Sequence, residues 1–381
     1  MTHTYYDFFA GGGMAGFGLG AGWKCLFAND IDAKKAASYR ANHDGGKELL
    51  LKDVAKVTLD EIPGVADLVW ASFPCQDLSL AGKGAGLAGE RSGTFKPFWK
   101  LVRQLNDGGR GPKLIALENV YGAITSNGGR DFATLATAFS GLGYRFGAVV
   151  VDAVHFLPQS RPRFFMIGVR GDLRIQADRV QDSPSTLWHP PALIEGHRLL
   201  SKAAAARWVW WSLPTPPLRN CSLSSLVEDN PQGVRWHTKA ETKHLLDMMT
   251  DHNRKKVEAA KEFGTKVIGT IYRRTRPDEN GVKCQRAEIR FDEIAGCLRT
   301  PAGGSSRQTI MVVEGDKVRS RLLSPREAAS LMGLPDTYTL PARYNEAYKL
   351  AGDGVAVPVV RHLADSIFEP ILRRNRLALV A

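Results

Sequence analysis

Thr4-Tyr5-Tyr6-Asp7-Phe8-Phe9-Ala10-Gly11-Gly12-Gly13-Met14-Ala15-Gly16 stands near the start of the chain and decides its fold. A β-rich apolar run ends in a glycine-rich turn, and Gly11, Gly13 and Gly16 satisfy G-x-G-x-x-G. That spacing carries a strand through a tight turn into a helix beneath a nucleoside ligand. Asp30 follows Gly11 by about 20 residues, where an acid that binds a ribose is expected. The turn admits NAD, FAD and S-adenosylmethionine alike, because glycine only lets the backbone approach the ligand closely.

The same plan continues to about residue 170. Short apolar runs at Thr4–Phe9, Lys24–Ala28, Leu49–Leu51, Val65–Ala71 and Leu114–Leu117 alternate with amphipathic stretches such as Ala33–Asn42 and Thr94–Leu105. This is the pattern of βαβ units and a parallel sheet. Arg145–Val151 and Arg163–Val169 lie too close together for a helical crossover, so they should pair as a hairpin at the sheet's edge. The expected fold class is α/β: a mostly parallel, Rossmann-like sheet with an antiparallel end, plus a smaller irregular lobe. After Gly171 prolines and tryptophans break the rhythm, and Trp208, Trp210 and Trp211 are expected in the core of that smaller lobe. Ser324-Pro325-Arg326-Glu327 signals a capped helix running to Met332, and Val355–Leu372 a closing one.

Composition narrows the class of protein. The 381 residues include 51 Lys and Arg against 39 Asp and Glu, a net charge of +12, which favours a polyanionic partner. No run approaches the roughly 18 apolar residues of a membrane span, and no signal peptide is read at Met1. Five widely spaced cysteines, with no C-x-x-C pair, indicate neither a disulfide framework nor a metal site, and a reducing cytoplasm is expected.

In an open parallel sheet ligands gather at the carboxyl ends of the strands. Lys52-Asp53-Val54 puts a carboxylate after the third run, either for an adenine amino group or as a helix cap. Phe73-Pro74-Cys75-Gln76-Asp77-Leu78-Ser79 puts a thiol on a proline-constrained loop after the fourth. Glu118-Asn119-Val120 ends the fifth with a carboxylate, costly in an apolar strand unless a ligand or partner satisfies it. A nicotinamide dehydrogenase would leave that thiol and that carboxylate unexplained.

With Gln159-Ser160-Arg161-Pro162-Arg163 and Gly352-Asp353-Gly354-Val355, these motifs stand in the order and spacing of the bacterial DNA (cytosine-5)-methyltransferases, which the chain resembles over roughly 1–170 and 296–381. Asp30 replaces a frequent Glu, Ile31 a frequent Trp that stacks on adenine, and Asp353 a common Asn. The resemblance implies S-adenosylmethionine as cofactor, held by Phe8, Ala10, Gly11, Gly13, Asp30, Ile31, Asp53 and Pro74. It implies Cys75 as the nucleophile, Glu118 as the acid or hydrogen-bonding group at cytosine N3, and Arg163 at the cytosine O2, with Arg161 as a further catalytic candidate. Gln76 and Ser79 would face DNA.

Residues 1–172 and 321–381 are then expected to form the methyltransferase domain, and 173–320, which carries the largest basic excess, the target-recognition domain. Within that stretch Arg273, Arg274, Arg276 and Arg299 are candidates for DNA contact, with Arg286 and Arg290 beside them. The glycine-rich Ala81–Gly86 is expected to cover the filled site. The partner implied is double-stranded DNA, bound by a monomer of the bacterial or phage-infected cytoplasm and nucleoid, with a companion restriction endonuclease encoded elsewhere. Two other readings stay open: an RNA cytosine-5 methyltransferase, and a catalytically silent DNA-binding relative.

Overall fold

A computed structural model describes residues 2–74, 92–277, 281–299 and 307–377. Packing divides the chain into two compact units, 1–152 with 162–216 and 355–381, and 153–161 with 217–354. The sequence divided the chain by expected role instead, and the two divisions part at 153–161, at 173–216 and at 321–354.

The first unit is built on a seven-stranded sheet. Its strands are β1 (His3–Phe8), β2 (Trp23–Asp30), β3 (Leu49–Leu51), β4 (Leu68–Ala71), β5 (Leu114–Val120), β6 (Tyr144–Asp152) and β7 (Pro162–Arg170), in the order β3-β2-β1-β4-β5-β7-β6. The neighbours from β3 to β5 are parallel. β7 runs antiparallel to both β5 and β6, so the expected hairpin forms, with its second strand innermost. The sheet order reverses between β1 and β4, the crevice at which open α/β sheets bind ligands.

Helices α1 (Met14–Leu19), α2 (Ala33–Asn42), α3 (Phe95–Asp107) and α4 (Arg130–Gly141) flank the sheet. α3 buries Phe95, Phe98, Trp99, Val102 and Leu105, the i, i+3, i+4, i+7 stripe that a sheet-facing helix needs. With Phe132, Leu135 and Phe139 of α4 they cover one face. Val357–Leu377, helical throughout with one π-turn at Ala364–Phe368, sets Phe368 against Trp70 of β4. An added Cβ at Gly18 would fall 2.4 Å from Val360 Cβ, so glycine lets α1 and this helix meet.

The three tryptophans belong to this unit and not to the smaller lobe. Phe146 N–H donates to the Arg207 carbonyl at 3.0 Å and Val209 N–H to the Phe146 carbonyl at 2.8 Å, so 207–209 covers the open edge of β6. Trp208 meets Phe132 and Phe146 edge-on, and Trp211 is fully buried. Covering that edge hides a backbone ladder that composition could not reveal.

Where composition led to the expectation of irregular structure, the second unit carries a regular four-stranded antiparallel sheet. Its strands run Lys283–Arg290, Val267–Pro277, Thr309–Glu314 and Lys317–Leu322, in that spatial order. The helices Lys239–Asp247 and Asp251–Glu262 contribute Leu245, Val257 and Ala260, and the link between them Met249, to a core shared with Ile271, Ile289, Met311 and Val313. Helix Pro325–Ser330 starts at the expected Ser324 N-cap, which forms a capping box with Glu327, and ends two residues before the expected Met332. Arg321 is fully buried and ion-paired to Glu327 at 2.6 Å. Among the described residues no helix is long and apolar enough to cross a membrane.

Candidate active site

The turn after β1 is locked from β2. Ala10 N–H donates to the Asn29 carbonyl at 2.9 Å and Gly13 N–H to the Ala10 carbonyl at 2.8 Å. The Asp30 carboxylate accepts from Gly11 N–H through one oxygen and from Asp32 N–H through the other, each at 2.8 Å. Each oxygen keeps a further lone pair for a hydroxyl. Gly11 and Gly13 have φ of 58° and 78°, the left-handed region that glycine adopts without strain. A Cβ added at Gly11 would meet nothing within 4 Å, whereas one at Gly13 would strike His43 Nε2 at 1.9 Å. The turn is therefore open above Gly11 and closed by His43 at Gly13.

Phe8 is fully buried, packed on Phe27 and Phe98. The half-buried ring at the turn is Phe9, whose φ of 59° is left-handed for a bulky residue, a strain of the kind stored at functional sites. Phe9 follows the last residue of β1 and packs on Phe98 as Phe8 does. Ile31 is 69% exposed beside Asp30. Asp53 caps the turn at Val54–Lys56 by accepting from Ala55 N–H at 2.9 Å and stays partly exposed. Beneath the turn Asp7 is buried, its Oδ2 without a hydrogen-bond partner among the described residues. Burial, with the Asp30 charge nearby, pushes its carboxyl well above the ordinary range. An open glycine cradle, an apolar side chain free to cover a base and two carboxylates with accepting capacity fit an adenosine cofactor.

The residues of chemistry lie further along the same edge. Pro74 is partly exposed and follows Phe73, whose carbonyl accepts from Asn119 Nδ2 at 3.2 Å. Cys75, Gln76, Ser79 and the glycine-rich Ala81–Gly86 fall outside the described residues. Glu118, near the end of β5, is 7% exposed, and its Oε1 lies 3.2 Å from Arg163 Nε on the neighbouring β7. The carboxylate that sequence could only call costly thus has an arginine against it.

Arg161 lies elsewhere. It is 1% exposed, and its guanidinium donates to the carbonyls of Leu298 at 3.0 Å, Gly352 at 2.8 Å and Gly354 at 2.6 Å. Gln159, fully buried, donates to the Leu331 carbonyl at 2.6 Å and accepts from Leu298 N–H at 3.1 Å. Within the second unit these two side chains fasten the loop ahead of β7 and the Gly352–Gly354 turn. Gln159 was missed as a positioning residue, although its amide can donate and accept at once.

Of the arginines read as DNA contacts, Arg274 and Arg276 are exposed and share Glu288, at 3.4 and 2.9 Å. Arg273 is half-buried and Arg299 exposed. Arg290 is paired with Asp292.

The sheet order and the groups gathered at its carboxyl edge define a Rossmann-like methyltransferase. Within that class the chain belongs to the C-5 cytosine-specific DNA methylases, a family it matches over residues 3–369, and it is a DNA (cytosine-5-)-methyltransferase. It is 25% identical to the Type II methyltransferase M.HpaII of Haemophilus parainfluenzae over 393 residues, 97% of this chain and 90% of that one. It is also 25% identical to M.HhaI of Haemophilus parahaemolyticus over 371 residues, 95% and 93% of the two chains. Among solved structures, the Dnmt2 methyltransferase of S. pombe superposes with a TM-score of 0.61 at 14% identity, over 97% of this chain and 99% of that one. The Entamoeba histolytica methyltransferase EhMeth gives 0.60 at 14% identity, over 97% and 99%. At such identity these two structures speak for the fold alone.

Proposed function

We propose that the chain transfers a methyl group from S-adenosylmethionine to C5 of a cytosine extruded from duplex DNA, within a specific target sequence, through a transient bond between Cys75 and C6. The observation that carries the reading is the buried Glu118 carboxylate held against Arg163 at the sheet edge that also bears the glycine turn. The cofactor, when bound, supplies an electrophilic methyl group on a sulfonium. Asp30, Ile31 and Asp53 would hold its ribose and adenine over the open Gly11 turn.

C5 of cytosine is a poor nucleophile until something adds at C6. The Cys75 thiolate adds there, giving C5 enamine character. Glu118 hydrogen-bonds or protonates N3 and so stabilises the charge drawn into the ring, while Arg163 orients Glu118 and contacts the O2 oxygen. Once C5 carries the methyl group it loses its proton, which we assign to water, and the thiolate leaves by elimination. The base cannot be reached inside a duplex and must be flipped out, with Ala81–Gly86 as cover. Residues 173–320 read the sequence, Gln76 and Ser79 face the DNA, and the protein acts as a cytoplasmic monomer, the modifying partner of an endonuclease encoded elsewhere.

The adduct is the test. Random-sequence duplex carrying 5-fluorocytosine, which cannot lose fluorine as a cation, should trap the methylated complex through denaturing electrophoresis. Cys75→Ala should abolish both the trapped complex and methyl transfer. A Cys75→Ala protein that still methylates C5 overturns the mechanism, a wild-type protein that methylates tRNA in place of duplex DNA overturns the substrate, and one inert toward both is the silent relative.

A further inference from the structure

The strand Val267–Pro277 belongs to two pairings of unequal length. It meets Thr309–Glu314 only through Val267–Ile271, but Lys283–Arg290 through Thr270–Pro277. Tyr272–Pro277 and Lys283–Glu288 therefore extend past the sheet as a two-stranded ribbon. A lone hairpin is marginally stable in water, and this one spends its outer positions on cations.

Cross-strand partners share a face. Tyr272 lies opposite Glu288, Arg274 opposite Arg286, and Arg276 opposite Cys284, so one face presents three arginines and one carboxylate. The alternate positions Ile271, Ala287 and Ile289 point into the core. Two arginines directly opposite one another destabilise an antiparallel pair. Glu288 relieves Arg274 and Arg276, and the Arg274 guanidinium lies 5.5 Å from the centre of the Tyr272 ring. Arg286 has no ion pair among the described residues, and it is half-buried on a strand rather than on a wandering loop. Such a face offers an excess of positive charge that folding does not require.

Its shape selects the polyanion. The major groove of B-form DNA, about 12 Å wide, admits a two-stranded ribbon, whereas the minor groove of undistorted B-form DNA is only about 6 Å wide. The major groove of duplex RNA is too deep and narrow for side chains to read. Building on the DNA substrate proposed above, we infer that the ribbon Tyr272–Pro277/Lys283–Glu288 enters the major groove of the target duplex and that Arg286 is a specificity-determining residue, donating through its fork to O6 and N7 of a guanine. Arg274 and Arg276, already held by Glu288, meet flanking phosphates.

Dimethyl sulfate, which methylates guanine N7 in the major groove, tests this without relying on turnover. Duplexes that the full chain retains from a random-sequence pool should share a consensus in which one guanine N7 is shielded. Arg286→Ala should expose that N7 and relax the consensus at that position roughly tenfold to a hundredfold. Arg286→Lys, with the charge but not the fork, should expose it as well. Shielding that survives Arg286→Ala overturns the assignment. So does a loss of retention uniform across sequences with a flatter salt dependence, the signature of a phosphate contact, and so does retention without any shielded guanine. A wild-type protein that shields the guanine but transfers no methyl group to the retained duplexes leaves the ribbon standing and overturns the methyl-transfer reading instead.

Discussion

Glu118 and Arg163 meet diagonally across the antiparallel pair β5 and β7, with Oε1 and Nε 3.2 Å apart. Both side chains are largely withdrawn from water, 9% and 14% exposed. The pair holds the Glu118 carboxylate toward β7 near the end of its strand. Removing one partner of such a pair takes the counterion from a largely desolvated charge.

Two substitutions should separate chemistry from stability at this pair. Glu118→Gln keeps the shape but cannot give a proton to N3, so it should slow trapping by 5-fluorocytosine roughly a hundredfold to ten-thousandfold. Its urea unfolding midpoint should fall less than that of Arg163→Ala, because the amide oxygen still accepts from the Arg163 guanidinium although its charge is gone. Arg163→Ala should instead cost roughly 3–5 kcal/mol of unfolding free energy. Trapping at the wild-type rate by Glu118→Gln would remove Glu118 from the reaction.

Asp30 supports the cofactor turn through two backbone N–H groups and offers its remaining lone pairs to a ribose. Asp30→Ala should raise the dissociation constant for S-adenosylmethionine roughly tenfold to a hundredfold, as expected for lost hydrogen bonds to a charged group. Titration calorimetry reads this directly. Unchanged affinity would take Asp30 out of the site.

Gly13→Ala places a methyl group where His43 Nε2 stands 1.9 Å away and forces alanine to a φ of 78°. Left-handed strain and overpacking together should cost roughly 2–5 kcal/mol. Adding His43→Ala should recover the steric part but not the backbone part, although it also gives up the stack on Tyr39. Urea unfolding of the single and double variants checks this, and a Gly13→Ala protein as stable as wild type would contradict the geometry.

His189 gives the fold a pH dependence. It is buried, its Nδ1 accepts from Ser185 N–H at 2.9 Å, and burial pushes its pKa from 6.5 down to about 4. The folded state thus prefers the neutral ring. The contribution is complete above the unfolded value and is lost as pH falls from about 6.5 toward about 4, about 3 kcal/mol in all. Urea unfolding across that window should show a gentler slope for His189→Gln. Identical slopes would mean that His189 charges without penalty.

The division of labour between sequence and tertiary structure follows from what each kind of signal records. Local periodicity is written in consecutive residues, so β1 to β5, α2, the edge hairpin, the capped helix at Ser324 and the closing helix were legible before any coordinate. Chemical identity is likewise local: the thiol of Cys75, the carboxylates of Asp30 and Glu118 and the glycine spacing give a nucleoside pocket with a thiol and a carboxylate, and their resemblance in order and spacing to the bacterial DNA (cytosine-5)-methyltransferases implied the rest.

Tertiary structure decided what depends on partners distant in the chain. It buried Phe8 fully and left Phe9, one residue past the end of β1, half-buried at the turn, with both rings against Phe98. It separated two arginines of one motif, setting Arg163 against a carboxylate and Arg161 among carbonyls from residues 298, 352 and 354. It drew Trp208 and its neighbours onto the edge of β6, and it built a regular sheet from strands that composition left without rhythm. Each of these outcomes rests on contacts that residue type and order do not specify, and a buried polar group takes whichever partner the fold brings within reach.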